Sequence, residues 1–196
     1  QLVFLTPQEN KAKPWNEQVI AENFADIDFS IANLNGQDVV FAAEFNNKQL
    51  SMLAYNKTTG KWDHRVIDNT LGPLYDAKVV DWGNKNQVLL VTNHSNDKDL
   101  SGVYAYDISY DKEGQPQFEK HILYTGFITK KGVGQASPNQ AIAFQPKQGE
   151  NGKPYILVDG DGAGNSLVLV PQQKSNDDNW DYTPIEIYKH FGNTRY

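Results

Sequence analysis

The chain has 196 residues, of which 39% are hydrophobic and 12% aromatic, enough apolar material for one sizeable core or two small ones and too much for a disordered polypeptide. A net charge of −6, with acidic and basic residues interspersed, argues against nucleic acid or an anionic membrane as partner, because both select basic patches. The absence of cysteine excludes disulfides, zinc–thiolate centres and cysteine nucleophiles, and no apolar run approaches the ~20 residues of a membrane helix.

The chain opens on Gln1 with no signal-peptide pattern, as a mature product, a trimmed one or a fragment would. Residues 1–7 (QLVFLTP) read as a strand ending at proline, and residues 15–20 (WNEQVI) as a second strand after a polar turn. The same pair recurs at 49–55 with 62–67, at 102–108 with 118–123, and at 166–171 with 180–187. Each second member opens on an aromatic residue, Trp15, Trp62, Phe118 or Trp180. Three of them place an aliphatic pair four residues later, whereas the last has Pro184 there.

Between these pairs lie two further strands per unit, at 26–34 with 38–44, 77–82 with 87–92, and 141–145 with 154–159. The second of each is continuously apolar (DVVFAA, QVLLVT, PYILVD), which places it in the middle of a sheet covered on both faces. Residues 26–68 therefore form one complete four-stranded antiparallel meander. The chain reads as a half unit (1–22), three whole units (23–69, 70–125 and 126–188) and a tail (189–196). Sheets that bury both faces on radial neighbours are β-propeller blades, usually ~4–8 to a ring. The expected fold is all-β, a partial β-propeller of about three and a half blades, completed by a missing segment or a second chain.

The Trp-x-x-x-Val-Ile pattern, followed by a loop and then Asn33-Leu34-Asn35-Gly36-Gln37-Asp38-Val39-Val40, resembles the FG-GAP/VCBS repeat. The stretches LLVTNHSNDKDLSGVYAYDI, GQASPNQAIAF and KPYILVDGDGAGNSLVLVP are similar to fungal and other eukaryotic members. The resemblance implies an extracellular propeller module that binds a partner protein, a glycan or another copy of itself. The alternative it leaves open is the propeller domain of a sugar-processing enzyme of dehydratase or lyase type, with its chemistry in another domain or on a loop-rich face. It also implies calcium in the loop joining the first two strands of a blade. Here the first such loop holds Asn33, Asn35 and Asp38, two residues shorter than the family pattern and with one carboxylate, so an Asn-Gly hairpin suffices. The second offers Asp81, Asn84 and Asn86, and the third is a long excursion over 147–153.

Another metal candidate is the loop from Asp159 to Asn165, in which Asp159, Asp161 and Asn165 offer oxygen ligands beside glycines. A glycine-rich hairpin explains the same residues. Loops joining second to third strands, and unit to unit, share one end of such sheets and gather Tyr75, Asp76, His94, Asp97, Gln135 and Asn139. These amides, carboxylates and rings suit a hydroxyl-rich ligand or a cation, although solvated loops are their ordinary role. No nucleophile elbow, phosphate loop or His-Glu-x-x-His occurs, and a lone His94 without a positioned partner is a weak acid–base signal. The aromatic that opens each outer strand is expected to pack between units. Sequons at Asn56 and Asn93 are about what chance supplies in a chain so rich in asparagine.

Overall fold

The computed structural model describes residues 1–83, 87–127, 137–147, 152–160, 165–173 and 178–189. Strand and turn chemistry alternate along them, and the described residues contain fourteen strands and no helix. A two-stranded sheet comes first, from β1 (Leu2–Thr6) and β2 (Asn16–Ala21). The second sheet is the meander β3 (Asp28–Leu34), β4 (Gln37–Glu44), β5 (Gln49–Asn56) and β6 (Lys61–Asp68). The third is β7 (Leu74–Asp81), β8 (Gln87–Asn93), β9 (Gly102–Tyr110) and β10 (Pro116–Thr125). The fourth is β11 (Ala141–Phe144), β12 (Tyr155–Asp159), β13 (Asn165–Pro171) and β14 (Tyr182–Lys189). All pairings are antiparallel and follow chain order.

Turn residues fix the register. Asn35 and Gly36 both take positive φ, 49° and 82°, the two left-handed positions of a type I′ hairpin, so β3 and β4 pair from Leu34–Gln37 outward without a slip. The Asn33 amide caps this turn, accepting from Gly36 N and donating to Asp38 Oδ1, which engages the loop that the family resemblance would give to calcium. Pro184 is accommodated opposite Leu169 because β14 is an edge strand, where a missing N–H breaks no ladder.

The continuously apolar second strands divide their side chains by parity, since successive residues point to opposite faces. On β4, Val39, Phe41 and Ala43 join Leu50 and Met52 against the third sheet, while Val40 and Ala42 face the first sheet with Leu53. On β8, Leu89 and Val91 point back to the second sheet, and Val88 and Leu90 forward to the fourth, where Ile156, Val158, Leu167 and Leu169 meet them. Each sheet thus stacks on the next, with β3 and β4 against β7, β7 and β8 against β11, β2 against β6 and β10 against β14.

Three of the four opening aromatics lie in these interfaces as expected. Trp62 packs on the core shared with the first sheet, Phe118 on that shared with the second, and Trp180 on that shared with the third. Three residues beyond Trp62, Arg65 sits over the Phe118 ring at 5.4 Å; three beyond Phe118, His121 stacks on Trp180 at 4.1 Å. Trp15 has no sheet behind it and stays 57% exposed.

Candidate functional site

Two ends of the stacked sheets carry polar groups. One end holds the β4–β5 turn, the β8–β9 loop and the connections between sheets, and the described residues among those picked out from the sequence lie at that end. β7 starts at Leu74, three residues before the expected start at residue 77, so Tyr75 and Asp76 are strand residues and not part of a loop. This places Asp76 almost wholly out of solvent, with Oδ2 2.7 Å from Lys78 Nζ and accepting from Ala141 N at 3.3 Å. Burial raises its pKa, against the opposing pull of Lys78 and the Ala141 amide and with the help of the Asp28 carboxylate. Asp76 is thus a tie between the third and fourth sheets.

His94 follows β8. Its Nδ1 lies 3.0 Å from the Pro138 carbonyl, and its ring stands 5.0 Å from that of Tyr75 and 6.0 Å from that of Phe45. Asn139 donates from its backbone to Asp159 O and, at 3.4 Å, from its side chain to Asp159 Oδ2, while its carbonyl accepts from Thr92 Oγ1. Tyr75, Asp76, His94, Asn139 and Asp159 therefore line one seam between the third and fourth sheets. Asp97 does not join them: it is exposed and organises the β8–β9 loop, its carbonyl accepting from Leu100 N and Ser101 N. Gln135 and Asp161 lie outside the described residues, as do Asn84 and Asn86.

Asn139 Oδ1 and Asn165 Oδ1 are buried and have no hydrogen-bond partner among the described residues, and each residue is close to the Asp159–Gly160 backbone. With the Asp159 carboxylate they are hard oxygen donors, but calcium takes ~6–8 of them with several carboxylates. Among the described residues no three His, Cys, Asp or Glu side chains converge, so this part of the seam does not by itself fit the ion.

The opposite end, formed by the β3–β4, β5–β6 and β9–β10 turns, carries a cleft of about 590 Å³ that the sequence reading did not single out. Leu34, Val39, Met52 and Ala54 form its apolar base, and Arg65, Asp63, Lys57 and Glu113 bring charge of both signs to its wall. A signal was present in KWDHRVID. Period-two alternation puts Asp63 and Arg65 on one face of β6, opposite Ala54 and Met52, and that is the face turned toward the third sheet.

The two sequons are engaged in structure. Asn93 is fully buried, its amide donating to Leu71 O and accepting from Gly102 N. Asn56 donates to Asp63 Oδ2 and accepts from Thr58 N and Thr59 N. No family model and no curated protein matches the chain.

Proposed function

We propose that the chain forms consecutive blades of a β-propeller of the FG-GAP/VCBS kind and acts as a non-catalytic binding or structural module outside the cell. Further sheets of the same construction, from a second chain or another segment, complete the ring. The observation that supports this reading best is the uncovered apolar face at each end of the stack. On the fourth sheet Ile142, Leu157, Val168 and Ile185 stand in register across all four strands, on the face opposite the core shared with the third sheet. Ile142 and Ile185 are 52% and 49% exposed. At the other end Phe29 and Ile31 of β3 are exposed where the two-stranded first sheet does not reach, and so are Val3, Leu5 and Val19 on that sheet. Internally the same parity positions are buried sheet on sheet, so the surface that suits each end is another such sheet.

The partner recognised by the completed module is a protein, a glycan or another copy of the chain, as the family resemblance implies. The reading is tested by sedimentation velocity over a hundredfold range of concentration. Association that weakens in the Ile142→Lys/Ile185→Lys double variant, with the far-ultraviolet circular dichroism unchanged, is the expected result. A compact monomer at every concentration would overturn the proposal.

A further inference from the structure

We propose that the cleft between the second and third sheets binds an acidic sugar, a hydroxyl-rich ring bearing a carboxylate, with Arg65 as its anion-recognising residue. The cleft exists because the forward face of β5 tapers from Leu50 through Met52 to Ala54, so the sheets that meet around Phe41 leave space between them at the turn end. Beyond that space, β9 and β10 run 9 and 10 residues against 8 each for β5 and β6, and their turn, with Tyr110 and Pro116, makes the far wall.

Arg65 is held in place without being neutralised. Its Nη1 donates to the Pro116 carbonyl at 2.6 Å and its guanidinium lies over Phe118, itself edge-on to Phe41 at 5.9 Å. Among the described residues it has no ion pair, and the nearby Asp63 carboxylate is hydrogen-bonded by Asn56. One of five N–H donors is used by the carbonyl, and the planar fork that remains matches a carboxylate. A half-buried arginine oriented by a neutral acceptor and an aromatic face is pre-organised for an anion.

The rest of the lining decides what carries that anion. Asp63 and Glu113 accept, Gln37 and Gln115 both donate and accept, and the phenols of Tyr55 and Tyr110 do the same beside ring faces. The Tyr110 hydroxyl is protonated at neutral pH, as a phenol ordinarily is, and burial raises its pKa further, so it remains a donor. The carboxylates of Asp63 and Glu113 offset Lys57 and Arg65, so the wall carries no net positive charge, which disfavours a polyanion such as a nucleic acid or an inositol polyphosphate. A single carboxylate on a polyhydroxylated ring meets Arg65 with its charge, the planar side chains with its hydroxyls, and the Val39, Met52 and Ala54 base with its C–H face. Both walls belong to this chain, so the inference stands or falls independently of ring completion.

The experiment is a titration of the ¹⁵N-labelled chain with trigalacturonate, with its methyl ester, which keeps the shape and removes the charge, and with triglutamate. Amide shifts at Gln37, Asn56 and Tyr110 are expected with trigalacturonate, at an affinity at least ~10-fold above that for the ester. Arg65→Gln should bring the two sugars to the same affinity, and Lys98→Gln at the other end should change nothing. Equal binding of acid and ester to the wild type, which needs no variant to fold, would overturn the proposal. So would shifts confined to residues around His94, retention of the acid preference in Arg65→Gln, or triglutamate binding in the cleft as tightly as the sugar acid.

Discussion

The forward faces of the second and fourth sheets share an apolar centre and meet different fates. On the second, Phe41 and Met52 of the middle strands stand in register between Ser30 and Arg65 of the outer ones; on the fourth, Leu157 and Val168 stand between Ile142 and Ile185. On the second sheet Phe41, Leu50 and Met52 are buried by Leu74, Leu89 and Tyr104 of the third. On the fourth Ile142, Phe144 and Ile185 are open. The covered interfaces also carry polar ties from sheet to sheet, such as Ser30 Oγ donating to Ala77 O, Thr92 Oγ1 to Asn139 O and Tyr106 to Asp68. Burying a face therefore involves more than apolar area. The groups at its margin must find partners once water is excluded.

The largest effect expected inside a covered interface comes from Phe41→Ala, which empties a fully buried ring site facing Phe118 and should cost about 3–5 kcal/mol in chemical denaturation. Asn93→Ala follows at about 2–4 kcal/mol, because it leaves Leu71 O and Gly102 N unpaired in the interior. The same burial predicts that folded protein from a glycosylating host carries no glycan at Asn93, and a mass spectrum showing an occupied Asn93 in folded material would contradict the burial of its amide between Leu71 and Gly102.

Two carboxylates then separate by the sign of their pH dependence. Burial works to raise the Asp68 pKa, but hydrogen bonds from Thr70, Lys120 and Tyr106 outweigh it and hold the group below its ordinary value. Its contribution is present above about pH 4 and lost as pH falls through the folded pKa. Asp68→Asn should therefore cost about 1–3 kcal/mol at pH 7, less in acid. Asp76 has its pKa raised, chiefly by burial, so its contribution is present below the ordinary carboxylate range and lost as pH rises through the folded value. Asp76→Asn should cost less at pH 7 than in acid, because the amide oxygen still accepts from Ala141 N while the charge that burial disfavours is removed, and Lys78, 31% exposed, keeps some access to water. Denaturation midpoints of both variants from pH 3 to 7 check this: the two differences from wild type should move in opposite directions, and parallel slopes would refute the assignment.

The smallest effect belongs to the uncovered face. Ile142→Ala should change the stability of the dilute chain by less than ~0.5 kcal/mol, since its side chain is half in water already. A cost approaching that of Phe41→Ala would mean that the face is covered even in dilute solution.

Most of the strand plan was legible in the sequence because it rests on local rules. Alternation, continuous apolar second strands and Asn-Gly turns place every strand within a few residues of its position, and Asn35-Gly36 fixes a register by itself. The polar seam was legible in part. His94, Asn139 and Asp159 come together as loop order implied, but Asp76 was misjudged as a loop residue because nothing local announces that β7 begins at Leu74, where β8 extends to Asn93 to pair with it. The Arg65 cleft was missed for a related reason. Whether a charged residue on an inward face meets a packed neighbour or a gap depends on side chains fifty residues away at Tyr110 and Pro116.

By itself the sequence determined the all-β class, the four-strand rhythm and the two-faced second strands, since hydrophobic period and turn chemistry act over a few residues. Only the tertiary structure decided which apolar faces are covered, that Asn93 and Asp76 are buried ties and that Arg65 stands un-neutralised at the wall of a cleft. Those properties are set by what packs across an interface, and a strand's own residues carry no record of its neighbour's shape.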